Sequence, residues 1–315
     1  MILGFDIGGT KCAVIKAEYS DGNVNIAAKK KIPTQLDISP EDMIERLIAI
    51  ADEMICGEKI ESIGISCGGP LDSENGIIKG PPNLPGWNDV HITEQLSRHY
   101  GVPAKLQNDA NACAVAEWKF GAGRGCKNMI FLTFGTGLGA GLILNGALYS
   151  GTNDNAGEAG HIRLDSFGPV GYGKSGSFEG FCSGNGLAQL GYIKALERAQ
   201  SGNYPMYFKR GMSASDITAK SLAEAALAGD ETAAEVYRIC GEQLGKGLSV
   251  LIDILNPERI VIGSVFARSE SLLREPMEQF IKKEALSAAA EVCSIVPAQL
   301  GEQIGDYAAV ATALL

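Results

Sequence analysis

Phe5-Asp6-Ile7-Gly8-Gly9-Thr10-Lys11 and Phe134-Gly135-Thr136-Gly137-Leu138-Gly139 are two versions of one phrase, the first near the start of the chain and the second near its middle. Apolar runs precede them (2–7 and 128–134) and follow them (12–15 and 140–144). An apolar run broken by glycine and threonine and then resumed reads as strand, tight turn, strand. Its recurrence predicts two lobes that carry related hairpins. Glycine lets backbone N–H groups come close to anionic oxygens, and Thr10 and Thr136 add hydroxyl donors, so paired turns of this kind suit a polyphosphate. A single copy would read equally well as an ordinary hairpin corner.

Outward from these turns the pattern alternates. A third strand is expected at 24–32. Pro40 opens a helix over 41–55, with Met43, Ile44, Leu47 and Ile48 at helical spacing. A strand follows at 62–67. Residues 68–87 are rich in Gly, Pro and Asn and read as long loops with one small hairpin at 76–79. A helix at 92–100 and a strand at 104–107 lead to a helix that starts near Asn108 and stops at Gly121-Ala122-Gly123. Beyond 144 the chain is read as irregular and Gly-rich to 186. Helices then alternate with strands at 259–263 and 293–297, and a helix over 232–255 is stopped by Asn256-Pro257. The expected class is α/β, with one lobe over 1–123 and the other over 124–315.

Composition bounds the function. The 315 residues are 45% hydrophobic, enough for a substantial core. Lys and Arg total 27 against 37 Asp and Glu, a net charge of −10 that repels nucleic acid. The run Lys29-Lys30-Lys31 reads as a solvated strand edge. Eight cysteines are scattered singly with no CxxC pair, the usage of a reducing compartment. With no signal-peptide pattern and no uncharged apolar run of membrane-spanning length, the expectation is a cytoplasmic protein without membrane partners.

Three further stretches carry chemistry. At Gln107-Asn108-Asp109-Ala110-Asn111-Ala112 a strand gives way to a helix, so that polar side chains sit at a strand end, where a carboxylate can take the proton of an attacking hydroxyl. Helix capping by Asn or Asp is the alternative reading, and one residue can cap while its neighbour reacts. Gly157-Glu158-Ala159-Gly160-His161 sets a carboxylate and an imidazole three apart among glycines, which suits vicinal hydroxyls as well as a structural pair. Asp6, at the end of the first strand, is placed to hold the Mg²⁺ that accompanies ATP. Lys11 can add charge, and Gly68-Gly69-Pro70-Leu71 with Pro82-Asn83-Leu84 form a second rim of loops.

Taken in order, these motifs resemble the ROK family, sugar kinases and sugar-responsive repressors on the actin-like (ribonuclease H-like) ATPase fold, with a central mixed sheet in each lobe. The resemblance covers nearly the whole chain. It implies that Asp6, Gly8, Gly9, Thr10, Lys11, Gly135, Thr136, Gly137 and Gly263 bind ATP with Mg²⁺, although Ser264 stands where a second glycine is common. It implies Asp109 as the catalytic base, and Gly69, Asn83, Asn108, Glu158, His161 and Glu179 as sugar contacts. It also implies a homodimer. One departure is large: Val170, Tyr172 and Ser177 stand where zinc-binding cysteines fall in the family, leaving only His161, so no structural zinc is expected. Family repressors carry a DNA-binding module before the first hairpin, and the position of Asp6 leads us to expect the kinase branch. The activity implied is ATP-dependent phosphorylation of a hexose or N-acetylhexosamine, most simply the 6-hydroxyl of glucose. The alternatives are a non-catalytic sugar sensor and a kinase with a polyphosphate donor.

Overall fold

The computed structural model describes residues 1–315. In chain order the elements are β1 (Ile2–Ile7), β2 (Lys11–Ser20), β3 (Asn23–Pro33), α1 (Pro40–Ile55), β4 (Ser62–Cys67), β5 (Leu71–Asp72), β6 (Ile77–Ile78), α2 (Ile92–Tyr100), β7 (Ala104–Asn108) and α3 (Asp109–Phe120). There follow β8 (Met129–Phe134), β9 (Leu138–Leu144), β10 (Ala147–Tyr149), β11 (Val170–Gly171), β12 (Lys174–Ser175), α4 (Phe178–Phe181) and α5 (Gly184–Ala199). The chain closes with α6 (Ala219–Leu227), α7 (Glu231–Leu255), β13 (Arg259–Ile262), α8 (Val265–Glu284), α9 (Ser287–Ala290), β14 (Ser294–Pro297) and α10 (Ile304–Thr312). No helix is long and apolar enough to cross a membrane.

The class is α/β with two mixed five-stranded sheets, ordered β3-β2-β1-β4-β7 and β10-β9-β8-β13-β14. In the first, β1 runs antiparallel to β2 and parallel to β4, and β4 is parallel to β7. In the second, β13 is parallel to both β8 and β14. A turn of three residues, Gly135 to Gly137, separates β8 from β9, which starts two residues earlier than the apolar run alone suggests.

The chain divides into two compact units, Met1–Lys127 with Gly141–Ala156 and Gln299–Leu315, and Asn128–Ala140 with Gly157–Ala298. This departs from a single cut after Gly123, because α10 packs on the first sheet. Leu3, Phe5 and Ile7 of β1 face a core shared with Met43, Ile44 and Leu47 of α1, while Ile2 faces a second cluster with Ala309 and Val310 of α10. Both faces of β1 are therefore covered, which is why it reads as a continuous apolar run. Burying each large side chain contributes roughly 1.5–3 kcal/mol. Gly4 and Gly64 make room for the helix: a Cβ on Gly64 would stand 2.0 Å from the Ala309 carbonyl oxygen.

In the second unit, β8 is buried almost throughout and pairs with β13. The stretch expected to be irregular up to 186 contains α4 and the start of α5. Each begins with a serine N-cap: Ser177 Oγ accepts from Gly180 N and Ser183 Oγ from Gly186 N. These caps offset the poor helix propensity of the glycines that follow.

Candidate active site

The residues singled out from the sequence fall into two sets, one in each unit. In the first unit, β1 carries Asp6 just before its last residue, Ile7, and runs into the Gly8–Thr10 turn. Gly8 N–H donates to the Lys11 carbonyl, and the Thr34 hydroxyl donates to the Gly8 carbonyl at 2.6 Å, which fixes the corner. Gly9 has no room for a side chain, since a Cβ there would lie 2.4 Å from the Asn83 carbonyl oxygen. The Asn83 side chain lies beside Gly68, and a Cβ on Gly69 would come within 3.1 Å of Asn108 Nδ2. The first turn, both rim loops and Asn108 thus form one neighbourhood. Thr10 and Lys11 are exposed beside it.

Asn108 is the N-cap of α3: its Oδ1 accepts from Ala110 N at 2.9 Å and from Asn111 N at 3.4 Å. Capping therefore falls to Asn108, and Asp109 becomes the first helical residue. Its side chain reaches solvent while the surrounding protein desolvates it enough to push its pKa up, an effect opposed by hydrogen bonds from the Ala110 and Asp109 amides. Asp6 shares this region. Burial first, then the negative charges of Asp306 and Asp109, push its carboxyl up to about 6, against a smaller pull from Lys29 and Lys31. Lys29 pairs with Asp306. Asp6 thus faces other carboxylates with only partial compensation from lysine.

In the second unit, the Gly135–Gly137 turn is pinned from two sides. The first amides of α5, Gly184 N and Asn185 N, donate to the carbonyls of Gly135 (2.7 Å) and Thr136 (3.5 Å). From the other side, Glu179 Oε2 accepts from Leu138 N at 3.0 Å and occupies the space a Gly137 side chain would need. Glu179 is thus directed at the second turn. The glycines of the 157–161 motif serve close packing on β9: a Cβ on Gly157 or Gly160 would lie 2.1 Å from the carbonyl oxygen of Ala140 or Leu138. This presents Glu158 and His161 at an exposed corner, with the His161 ring edge-on to Tyr172 at 5.9 Å between centroids.

A cavity of about 820 Å³ opens beside this turn, lined by Gly135, Thr136, Glu179, Ser183, Ser264 and Arg268 among others. That volume lies within the range of small-molecule sites. Gly263 does not line it; the space its side chain would need faces the Phe131 ring, 3.3 Å from an ideal Cβ, and the next two residues, Ser264 and Val265, form the wall. The 214–220 segment and Arg268, also in the wall, carry no glycine motif and no charge cluster that would mark them in the sequence. The sole signal was the place of Ser264, directly after an apolar strand and a glycine.

The 168–179 segment is held by hydrogen bonds. The Gln189 side chain accepts from Val170 N and donates to Val170 O, both at 2.9 Å, as a neighbouring strand would. Ser175 Oγ donates to Gly168 O, and Lys174 Nζ donates to the His161 carbonyl. Valine offers no donor atom and the tyrosine and serine hydroxyls are poor zinc ligands, so the side chains at 161, 170, 172 and 177 do not fit zinc.

A family model described as ROK family matches residues 2–314. Over 305 residues the chain is 30% identical to a glucokinase of Thermotoga maritima, covering 96% of this chain and 94% of that one. Among solved structures, a ROK family glucokinase from Streptomyces griseus in complex with glucose and AMPPNP aligns with a TM-score of 0.77 at 28% identity, covering 99% of both chains. A ROK family transcriptional regulator, a homologue of the Escherichia coli Mlc protein, aligns with a TM-score of 0.84 at 26% identity, covering 99% of this chain and 78% of that one.

Proposed function

The chain belongs to the ROK family, and from that premise we propose that it is an ATP-dependent sugar kinase that transfers the γ-phosphoryl group to the 6-hydroxyl of glucose or a close relative. The observation that carries this reading is at the start of α3. Asn108 takes the capping role and Asp109 is left with a carboxyl whose pKa is raised, a stronger base toward a hydroxyl proton. The glucokinase relatives, and the one bound to glucose and AMPPNP, support the same reading.

In this mechanism Asn83, Asn108, Glu158, His161 and Glu179 orient the sugar, and Asp109 accepts the proton of the attacking hydroxyl. Gly8 to Lys11 and Gly135 to Gly137 hold the phosphate chain through backbone amides and the threonine hydroxyls. Asp6 would hold Mg²⁺ directly or through water, and the ion would supply charge neutralisation for the nucleotide phosphates. We carry a cytoplasmic homodimer as part of the proposal.

The test is coupled ADP release with Mg²⁺-ATP over a panel of hexoses and N-acetylhexosamines, beside Asp109→Asn. We expect turnover on one sugar, reduced about 10²–10⁴-fold in the variant with sugar binding retained. Near-normal turnover in the variant removes Asp109 from the role of base. The likeness to a transcriptional regulator supports a second reading, a non-catalytic sugar sensor. Sugar binding without ADP release across the whole panel selects that reading instead.

A further inference from the structure

Eight residues other than glycine have positive φ. Five of them are Asp or Asn, the types that tolerate left-handed backbone, and Cys56 is the left-handed C-cap of α1. The remaining two, Tyr172 and Ser264, both line the cavity beside Gly135 and Thr136. Ser264 is strained. Its φ of +51° and ψ of −108° fall outside the left-handed helical region and near the first corner of a type II′ turn, which glycine favours. Backbone strain of this kind gathers at functional sites.

The serine gains nothing as a helix cap. It occupies the N-cap position of α8, yet its side chain caps no amide there. Instead Arg268, one turn along the helix, donates from Nη2 to Ser264 Oγ at 3.0 Å. An ideal Cβ on Gly135 would meet Ser264 Oγ at 3.9 Å and no other atom within 4 Å, so the hydroxyl faces the second glycine turn across open space. A hydroxyl oxygen that accepts from a guanidinium keeps its own proton to donate, and the charge-assisted bond polarises it toward an anionic acceptor. Glycine would adopt this backbone without strain; serine adds an oxygen.

We propose that Ser264 is a donor-binding residue, held in place by Arg268 as its positioning residue, and that its hydroxyl donates to a phosphoryl oxygen of the nucleotide seated against Gly135 to Gly137. The inference rests on the kinase reading above.

The experiment uses the full chain with Mg²⁺ and compares the parent with Ser264→Gly, Ser264→Ala and Arg268→Ala. ADP binding is measured by calorimetry, KM for ATP and for the sugar by coupled assay, and stability by thermal unfolding. Ser264→Gly is expected to melt higher because the strain is relieved, yet to raise Kd for ADP and KM for ATP by about tenfold or more, the loss of one hydrogen bond to a charged group. KM for the sugar stays unchanged. Ser264→Ala keeps the strained Cβ and loses nucleotide affinity to the same extent, and Arg268→Ala loses part of it. A Ser264→Gly protein that binds ADP as tightly as the parent, or whose two KM values rise together, overturns the proposal. A parent that binds no ADP overturns the kinase reading itself, and the two failures are distinguished by which protein shows them.

Discussion

Asp6 shows what the site costs the free protein. Its carboxyl is raised to about 6 by burial and by Asp306 and Asp109, so the folded chain binds this proton more tightly than the unfolded one, where the usual value is 3.8. For an acid shifted in this direction, the stabilisation is fully present below pH 4 and is lost as pH rises through 6. The loss amounts to up to about 3 kcal/mol. Asp6→Asn should therefore be more stable than the parent at pH 7 in the absence of ligand and flatten the dependence between pH 4 and 6, while ADP release falls. Urea denaturation of both proteins from pH 4 to 8 measures this, and parallel curves refute it. Asp6 stood out in the sequence because it is the charged residue of an apolar strand just before a glycine corner. Ser264 was legible only as a departure from glycine, since its φ of +51° follows from no local preference of serine.

Among the elements, α10 is held by the least conspicuous contacts. Gly4 and Gly64 carry no side chain, and the helix sits where those side chains would be. Gly64→Ala forces a methyl group onto the Ala309 carbonyl and the Ala313 amide, which cannot swing aside as a side-chain tip does. The destabilisation should reach the upper end of the usual 1–3 kcal/mol for overpacking. Melting within a degree of the parent would show that α10 does not rest on β4. The strands and most helices were readable because apolar spacing of two or 3.6 residues is a local property. The segment 304–312 is rich in alanine, which marks a close-packed helix without saying which sheet it will meet. Likewise α4 and α5 were hidden by their glycines, because the Ser177 and Ser183 caps that start them bond to amides three residues on.

At the scale of the molecule, two lobes were legible from the repeated hairpin, but their composition was not, because it depends on contacts between residues about 300 positions apart. The first unit needs Gln299–Leu315. Removing residues 299–315 should leave β1, β2 and β4 without cover on one face. Their amides, measured by hydrogen exchange, are then expected to lose the protection they have in the full chain, and native-level protection would count against this account. The same arrangement governs how the protein is made. Ile2, Gly4 and Gly64 leave the ribosome well before the helix that covers them, with about 155 residues of the other unit translated in between. At about 5–20 residues per second the nascent first sheet waits roughly 10–40 seconds with an apolar face exposed. The second unit, whose segments all lie upstream of residue 299, can finish folding first, so the half of the protein that is begun first is completed last.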